Sequence, residues 1–222
     1  MKKLFLASYF TDVAELLPDF MGEDITGKKV VFIPTAALYP WVSEEKADLD
    51  ELVSTDRAAL QSLGLIVEEL DIASACSETI EKAIANTDYI FACGGDSFYL
   101  MQELRRKGAD KLITEHIEKG KLYMGTSAGS LIMQKDIVDD GIEKPEFAPD
   151  LNGDFSALGI IDFYLYVHYG SHYWGDDDEY IRKFYDKLNY VKISDKQAVT
   201  VHGSDVQIVA VQYHNKGWIE NE

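Results

Sequence analysis

Up to residue 126 the chain alternates short apolar runs with longer amphipathic segments, and that alternation leaves few folds open. The runs at 3–9, 29–34, 65–70, 88–93 and 121–126 have strand length, while 11–20, 43–63, 77–86, 97–107 and 109–119 repeat apolar residues at helical spacing. Strand and helix in strict succession predict an α/β fold with a mostly parallel sheet flanked by helices, because parallel neighbours need a crossover to join them. In the 43–63 segment Leu49, Leu52, Val53, Ala59, Leu60 and Leu63 share one face, and Ser43 with Glu44-Glu45 reads as its start. A chain of 222 residues is expected to form one domain, residues 1–222, with a core large enough to fold without disulfide or metal.

After residue 134 the rhythm changes. Residues 135–175 are rich in Asp, Gly and aromatics and carry only the short runs 157–161 and 163–167, and a loop region of that length is usually functional. A helix near 176–189 and short strands near 190–194, 198–202 and 205–212 follow, expected to extend the sheet through antiparallel hairpins. The N-terminal Lys2-Lys3 and the apolar residues behind them meet Thr11-Asp12 too soon for a signal-peptide core, so this run reads as the first strand.

Charge and cysteines narrow the function classes. Lys and Arg number 21 against 39 Asp and Glu, a net charge of −18 that opposes nucleic acid and anionic membranes as partners. Cys76 and Cys93 have neither Cys-x-x-Cys spacing nor a nearby histidine pair, which points to no metal, no disulfide framework and a cytoplasmic location. The sequence does not choose between monomer and homodimer.

The chemistry centres on Gly125-Thr126-Ser127-Ala128-Gly129, preceded by Leu122-Tyr123-Met124 and followed by Leu131-Ile132-Met133. Strand, sharp turn and helix around Gly-x-Ser-x-Gly describe a nucleophile elbow, in which small residues two before and two after the serine let the chain turn while the hydroxyl is presented. A plain glycine-rich turn before a helix is the simpler alternative. A second stretch, Cys93-Gly94-Gly95-Asp96-Ser97-Phe98, follows the fourth strand, and in a parallel sheet its loop converges with the elbow. It lacks the phosphate-loop and dinucleotide patterns, and Asp96 or Ser97 fits a helix N-cap. Cys93, ending an apolar strand, reads as a buried small hydrophobe.

A serine nucleophile needs a base. His116, His202 and His214 read as structural or exposed, whereas His168 and His172 lie just past the run 163–167, and His168 sits where a strand end presents its side chain. His168 is the favoured base, with His172 in reserve or as a substrate contact. The aromatic neighbours Tyr164, Tyr166, Tyr169, Tyr173 and Trp174 read as packing or as a pocket wall. A carboxylate must orient the imidazole. Asp136, Asp139, Asp140, Glu143, Glu146 and Asp150 all lie between serine and histidine, and spacing does not choose among them.

The elbow, the Gly94-Gly95-Asp96-Ser97-Phe98 loop whose second glycine lies 32 residues before the serine, and the His168 strand end together resemble the peptidase E and cyanophycinase family of serine peptidases. The likeness runs from Ile33-Pro34-Thr35 to about Arg182. It implies a flavodoxin-like fold related to class I glutamine amidotransferases, no cofactor, and small peptides as substrates. It further implies Ser127 as nucleophile, His168 as base, and the amides of Gly95 and Ala128 as oxyanion hole. The family's acid-x-Pro pattern falls on Glu143-Lys144-Pro145, implying a Ser-His-Glu triad with Asp140 in reserve. The aspartyl dipeptidases of the family carry a substrate-pairing arginine where this chain has Asp177, so specificity is expected not to be strictly aspartyl. Acids in a first helical turn also complement the macrodipole and need no ligand. A non-catalytic binding protein and a carboxylesterase are the competing classes.

Overall fold

The computed structural model describes residues 1–40, 46–138, 143, 145–171 and 186–211. In chain order the strands are β1 (Lys3–Ala7), β2 (Lys29–Ile33), β3 (Ile66–Glu69), β4 (Tyr89–Ala92), β5 (Leu122–Thr126), β6 (Tyr164–Tyr166), β7 (Tyr190–Lys192), β8 (Gln197–His202) and β9 (Asp205–Ala210). The helices are α1 (Phe10–Val13), α2 (Leu17–Met21), α3 (Lys46–Ser62), α4 (Ser77–Ala85), α5 (Ser97–Lys107), α6 (Ala109–Glu118) and α7 (Ala128–Leu131). One sheet runs β3-β2-β4-β5-β1-β8-β9 and a smaller one pairs β6 with β7. Strands β1 to β5 are parallel, and β8 and β9 join antiparallel beyond β1.

Alternating side chains send each central strand into two cores. Leu4, Leu6, Val31, Ile33, Ile90, Ala92 and Tyr123 pack under α4, α5 and α6, while Phe5, Ala7, Val30, Phe32, Phe91, Leu122 and Met124 pack under α1, α2 and α3. This three-layer, mostly parallel arrangement is flavodoxin-like. It buries strands on both faces, which is why they read as continuous apolar runs.

The expected helix 11–20 is broken into α1, a 3₁₀ turn over Ala14–Leu16, and α2. Pro18 has no N–H to give to Ala14, and its ring opposes a continuous helix there. The expected start of α3 at Ser43-Glu44-Glu45 lies outside the described residues, as do the helix expected from 176 up to residue 185 and His214. Within the expected strand at 190–194, Tyr190–Lys192 does not extend the main sheet: it runs parallel to β6, with Tyr166 opposite Lys192. The run 157–161 forms no strand. Among the described residues no helix is long and apolar enough to cross a membrane.

Candidate active site

The carboxyl ends of β1, β4 and β5 meet at one edge of the parallel sheet. Ala7 of β1 lies opposite Thr126 of β5, and the Ser127 N–H donates to the Ala7 carbonyl at 3.1 Å, so the elbow is clamped to the neighbouring strand. Ser127 has φ 47° and ψ −116°, a conformation that a residue with a side chain adopts only when its surroundings enforce it. The enforcing contacts are visible at the flanking glycines. A Cβ on Gly125 would lie 2.4 Å from the Gly129 carbonyl oxygen, and one on Gly129 would lie 2.1 Å from that of Ala92. Only glycine permits α7 to press this closely on β4 and β5.

The Gly94-Gly95 loop ends β4 beside the elbow. A Cβ on Gly94 would come within 3.2 Å of the Ser127 Cβ, and Gly95 (φ 133°) lies so close to the 3₁₀ turn Thr35–Leu38 that a Cβ would meet the Ala36 carbonyl oxygen at 2.2 Å. Asp96 is the N-cap of α5, accepting from the Tyr99 N–H at 2.7 Å. Ala128 opens α7, so its N–H has no partner within that helix.

His168 follows β6 at φ 58° and is buried. Its Nε2 lies 3.0 Å from Ser127 Oγ and its Nδ1 lies 2.6 Å from Asp195 Oδ1. Burial works to raise the half-buried Asp195 carboxyl, but hydrogen bonds from His168 and Ser8 and the charges of His168 and Lys196 outweigh it, holding the group below its ordinary 3.8. Lys196 in turn pairs with Asp12 of α1.

The carboxylate on the imidazole is therefore Asp195 and not Glu143. Glu143 instead accepts from the Ser97 backbone N–H at 3.1 Å and from the Ser97 hydroxyl, at the first turn of α5. A carboxylate at a helix N-terminus satisfies N–H groups that lack intrahelical partners, which accounts for an acid at this position without reference to the histidine. Asp136 accepts from the Tyr164 hydroxyl at 3.0 Å. Asp140, His172, Asp177 and Arg182 lie outside the described residues. His116 is buried against the Leu122 carbonyl (3.1 Å), and burial lowers its imidazole to about 4.

A second buried acid was not legible in the sequence. Asp56 of α3 is fully buried under the site, accepting from Thr11 Oγ1 at 3.0 Å and from Cys93 Sγ at 3.7 Å. Burial pushes its carboxyl up to about 7, and pushes the Cys93 thiol up as well. Because the folded state holds this proton more tightly than the unfolded chain, the associated stability is complete below about 4 and lost as pH rises through about 7. Between pH 5 and 8 the loss amounts to about 3 kcal/mol. Asp56→Asn is expected to flatten the pH dependence by about that amount in urea unfolding at the two pH values. Equal dependence in wild type and variant would show that Asp56 does not titrate as its burial implies.

An imidazole on an elbow hydroxyl at the carboxyl ends of a parallel sheet defines the class of α/β serine hydrolases. The description "Peptidase family S51" matches residues 4–209. The chain thus belongs to peptidase family S51 and is a serine-type peptidase. It is 37% identical over 208 residues, 93% of this chain and 97% of the other, to a protein of Listeria monocytogenes named as an uncharacterized peptidase. A similarly named protein of Pasteurella multocida is 41% identical over 170 residues, covering 76% of this chain and 78% of that one. The crystal structure of a candidate peptidase E from Listeria monocytogenes superposes with a TM-score of 0.84 at 37% identity, covering 96% of this chain and all of that one. A peptidase from an acI-B1 Actinobacterium shares the fold, with a TM-score of 0.72 at 20% identity over 95% and 88% of the two chains.

Proposed function

We propose that this chain hydrolyses small peptides through a Ser127-His168-Asp195 triad, with the amides of Gly95 and Ala128 as oxyanion hole. The observation that carries the proposal is the unbroken relay from Ser127 Oγ through Nε2 (3.0 Å) and Nδ1 to Asp195 (2.6 Å). With the Nδ1 proton held by Asp195, Nε2 offers its lone pair to the hydroxyl. As Ser127 Oγ attacks the peptide carbonyl carbon, its proton passes to Nε2 and the carbonyl oxygen takes up negative charge facing the two amides. The C–N bond then breaks as Nε2 returns the proton to the leaving amine. Water, deprotonated by the same nitrogen, releases the acyl group.

Dipeptides with a neutral or basic side chain are the favoured substrates over aspartyl ones. The net charge of −18 disfavours a substrate carboxylate. Free Cys76 and Cys93 fit a reducing cytoplasmic setting.

Incubation with a fluorophosphonate probe followed by peptide mapping is expected to place one phosphonyl group on Ser127. An unlabelled protein would favour a binding function that retains the fold. A dipeptide and ester panel compared by kcat/KM then separates peptidase from carboxylesterase and orders the side chains.

A further inference from the structure

Ser8 lies one residue beyond β1, is fully buried, and meets the relay at three atoms. The His168 backbone N–H donates to Ser8 Oγ at 2.6 Å, and the Ser8 hydroxyl lies 2.9 Å from Asp195 Oδ1 and 3.3 Å from His168 Nδ1. A serine hydroxyl carries one hydrogen. Since Nδ1 gives its own proton to Asp195, it has no lone pair free for Ser8, and the Ser8 hydrogen is directed to Asp195 Oδ1. One carboxylate oxygen therefore accepts from both Nδ1–H and Ser8, while Ser8 accepts from the main chain of the same histidine. We propose that Ser8 is a positioning residue for the peptidase reaction, fixing the His168 backbone and the Asp195 carboxylate relative to each other.

Two features of the site call for such a clamp. His168 has φ 58°, a left-handed conformation that strains a non-glycine residue and persists only when it is held. The Ser8 hydroxyl is a holding contact on that residue's own N–H. Asp195 sits in the turn between β7 and β8, partly exposed, with Lys196 beside it drawn toward Asp12 of α1. Ser8 ties this turn back to the strand that also carries the elbow, since the adjacent Ala7 carbonyl accepts from the Ser127 N–H and from the Ser130 hydroxyl at 2.8 Å. Nucleophile, base and acid are thus all referred to the end of β1. The hydrogen bond also withdraws part of the Asp195 charge from the imidazolium.

The proposal rests on the triad described above, and the test separates the two. The second-order rate of fluorophosphonate labelling is followed from pH 5 to 9 for wild type, Ser8→Ala and Ser8→Thr, each below its thermal transition. Misplacement of a base by a fraction of an ångström to an ångström costs up to about 100-fold. Ser8→Ala is expected to label about 10- to 100-fold more slowly, with the acid limb of its profile displaced to higher pH because Asp195 then bears its full charge against the imidazolium. Ser8→Thr, which keeps the oxygen, is expected to recover most of the rate. A Ser8→Ala rate within twofold of wild type, or a slower rate with an undisplaced limb, would overturn the positioning role while leaving the triad intact. Failure of the wild type to label at Ser127 would instead remove the triad.

Discussion

Ser127→Ala is expected to lower peptide hydrolysis by about 10⁶-fold while leaving the protein folded, because loss of a triad nucleophile removes the covalent route altogether. The variant loses one hydroxyl whose partner is His168 Nε2, and the turn itself is held by backbone contacts to Ala7 and by the packing of Gly125 and Gly129. Its thermal transition should therefore stay close to that of the wild type. Among the described residues no neighbouring hydroxyl is placed to take over. Ser130 is buried with its hydroxyl donating to the Ala7 carbonyl, and Thr126 donates to the Ser8 carbonyl. Cys93 is no substitute either, being fully buried, engaged with Asp56, and kept protonated by its burial. Initial rates on the best dipeptide, paired with circular dichroism melts, check both halves. Turnover within 100-fold of wild type would sink the serine mechanism.

The sheet and the elbow could be read from the sequence because both depend on local chemistry. Strands buried on two faces must be apolar at every position, as in Val30-Val31-Phe32-Ile33, and the helices between them repeat at 3.6 residues. The elbow needs glycine at 125 and 129 for contacts within one strand-turn-helix unit, so its signature is contiguous. His168 carried a weaker but still local sign, a histidine just past a short apolar strand. Asp195 carried none. It meets His168 only because β6 and β7 run side by side in parallel, which brings the residues beyond Tyr166 and Lys192 together. The Tyr169 N–H donating to the Ile193 carbonyl at 3.1 Å continues that pairing past the strand ends. Three-residue strands specify their partners poorly, and an acid between two short strands resembles any turn. The acid-x-Pro pattern at Glu143 offered a contiguous signal in its place, and the residue it marked serves the first turn of α5 instead. Asp56 was hidden for a related reason: a single carboxylate on an otherwise amphipathic helix gives no sign of facing inward.

Asp195→Asn and Glu143→Gln provide the pair of substitutions with opposite expected results. Asp195 accepts the Nδ1 proton at 2.6 Å, so it both selects the tautomer that leaves Nε2 free and offsets the charge that forms when Nε2 takes the Ser127 proton. An asparagine there keeps the shape but removes the charge, and its amide can turn to donate to Nδ1, stabilising the tautomer with the proton on Nε2, where it blocks proton uptake. The expected loss is about 10⁴-fold in kcat with KM little altered, because the side chain acts on the base and not on the bound peptide. Raising the pH is not expected to rescue the variant, since the missing charge is fixed and not titratable. Glu143→Gln keeps an oxygen acceptor for the Ser97 N–H and turns an amide N–H to the Ser97 hydroxyl oxygen, so its kcat should fall less than about tenfold, through the Gly94-Gly95 loop that precedes α5 and not through His168. Parallel kcat and KM measurements on one dipeptide distinguish the two. Near-normal turnover in Asp195→Asn together with collapse in Glu143→Gln would mean that the relay rearranges when substrate binds, with Glu143 leaving Ser97 to take the imidazole.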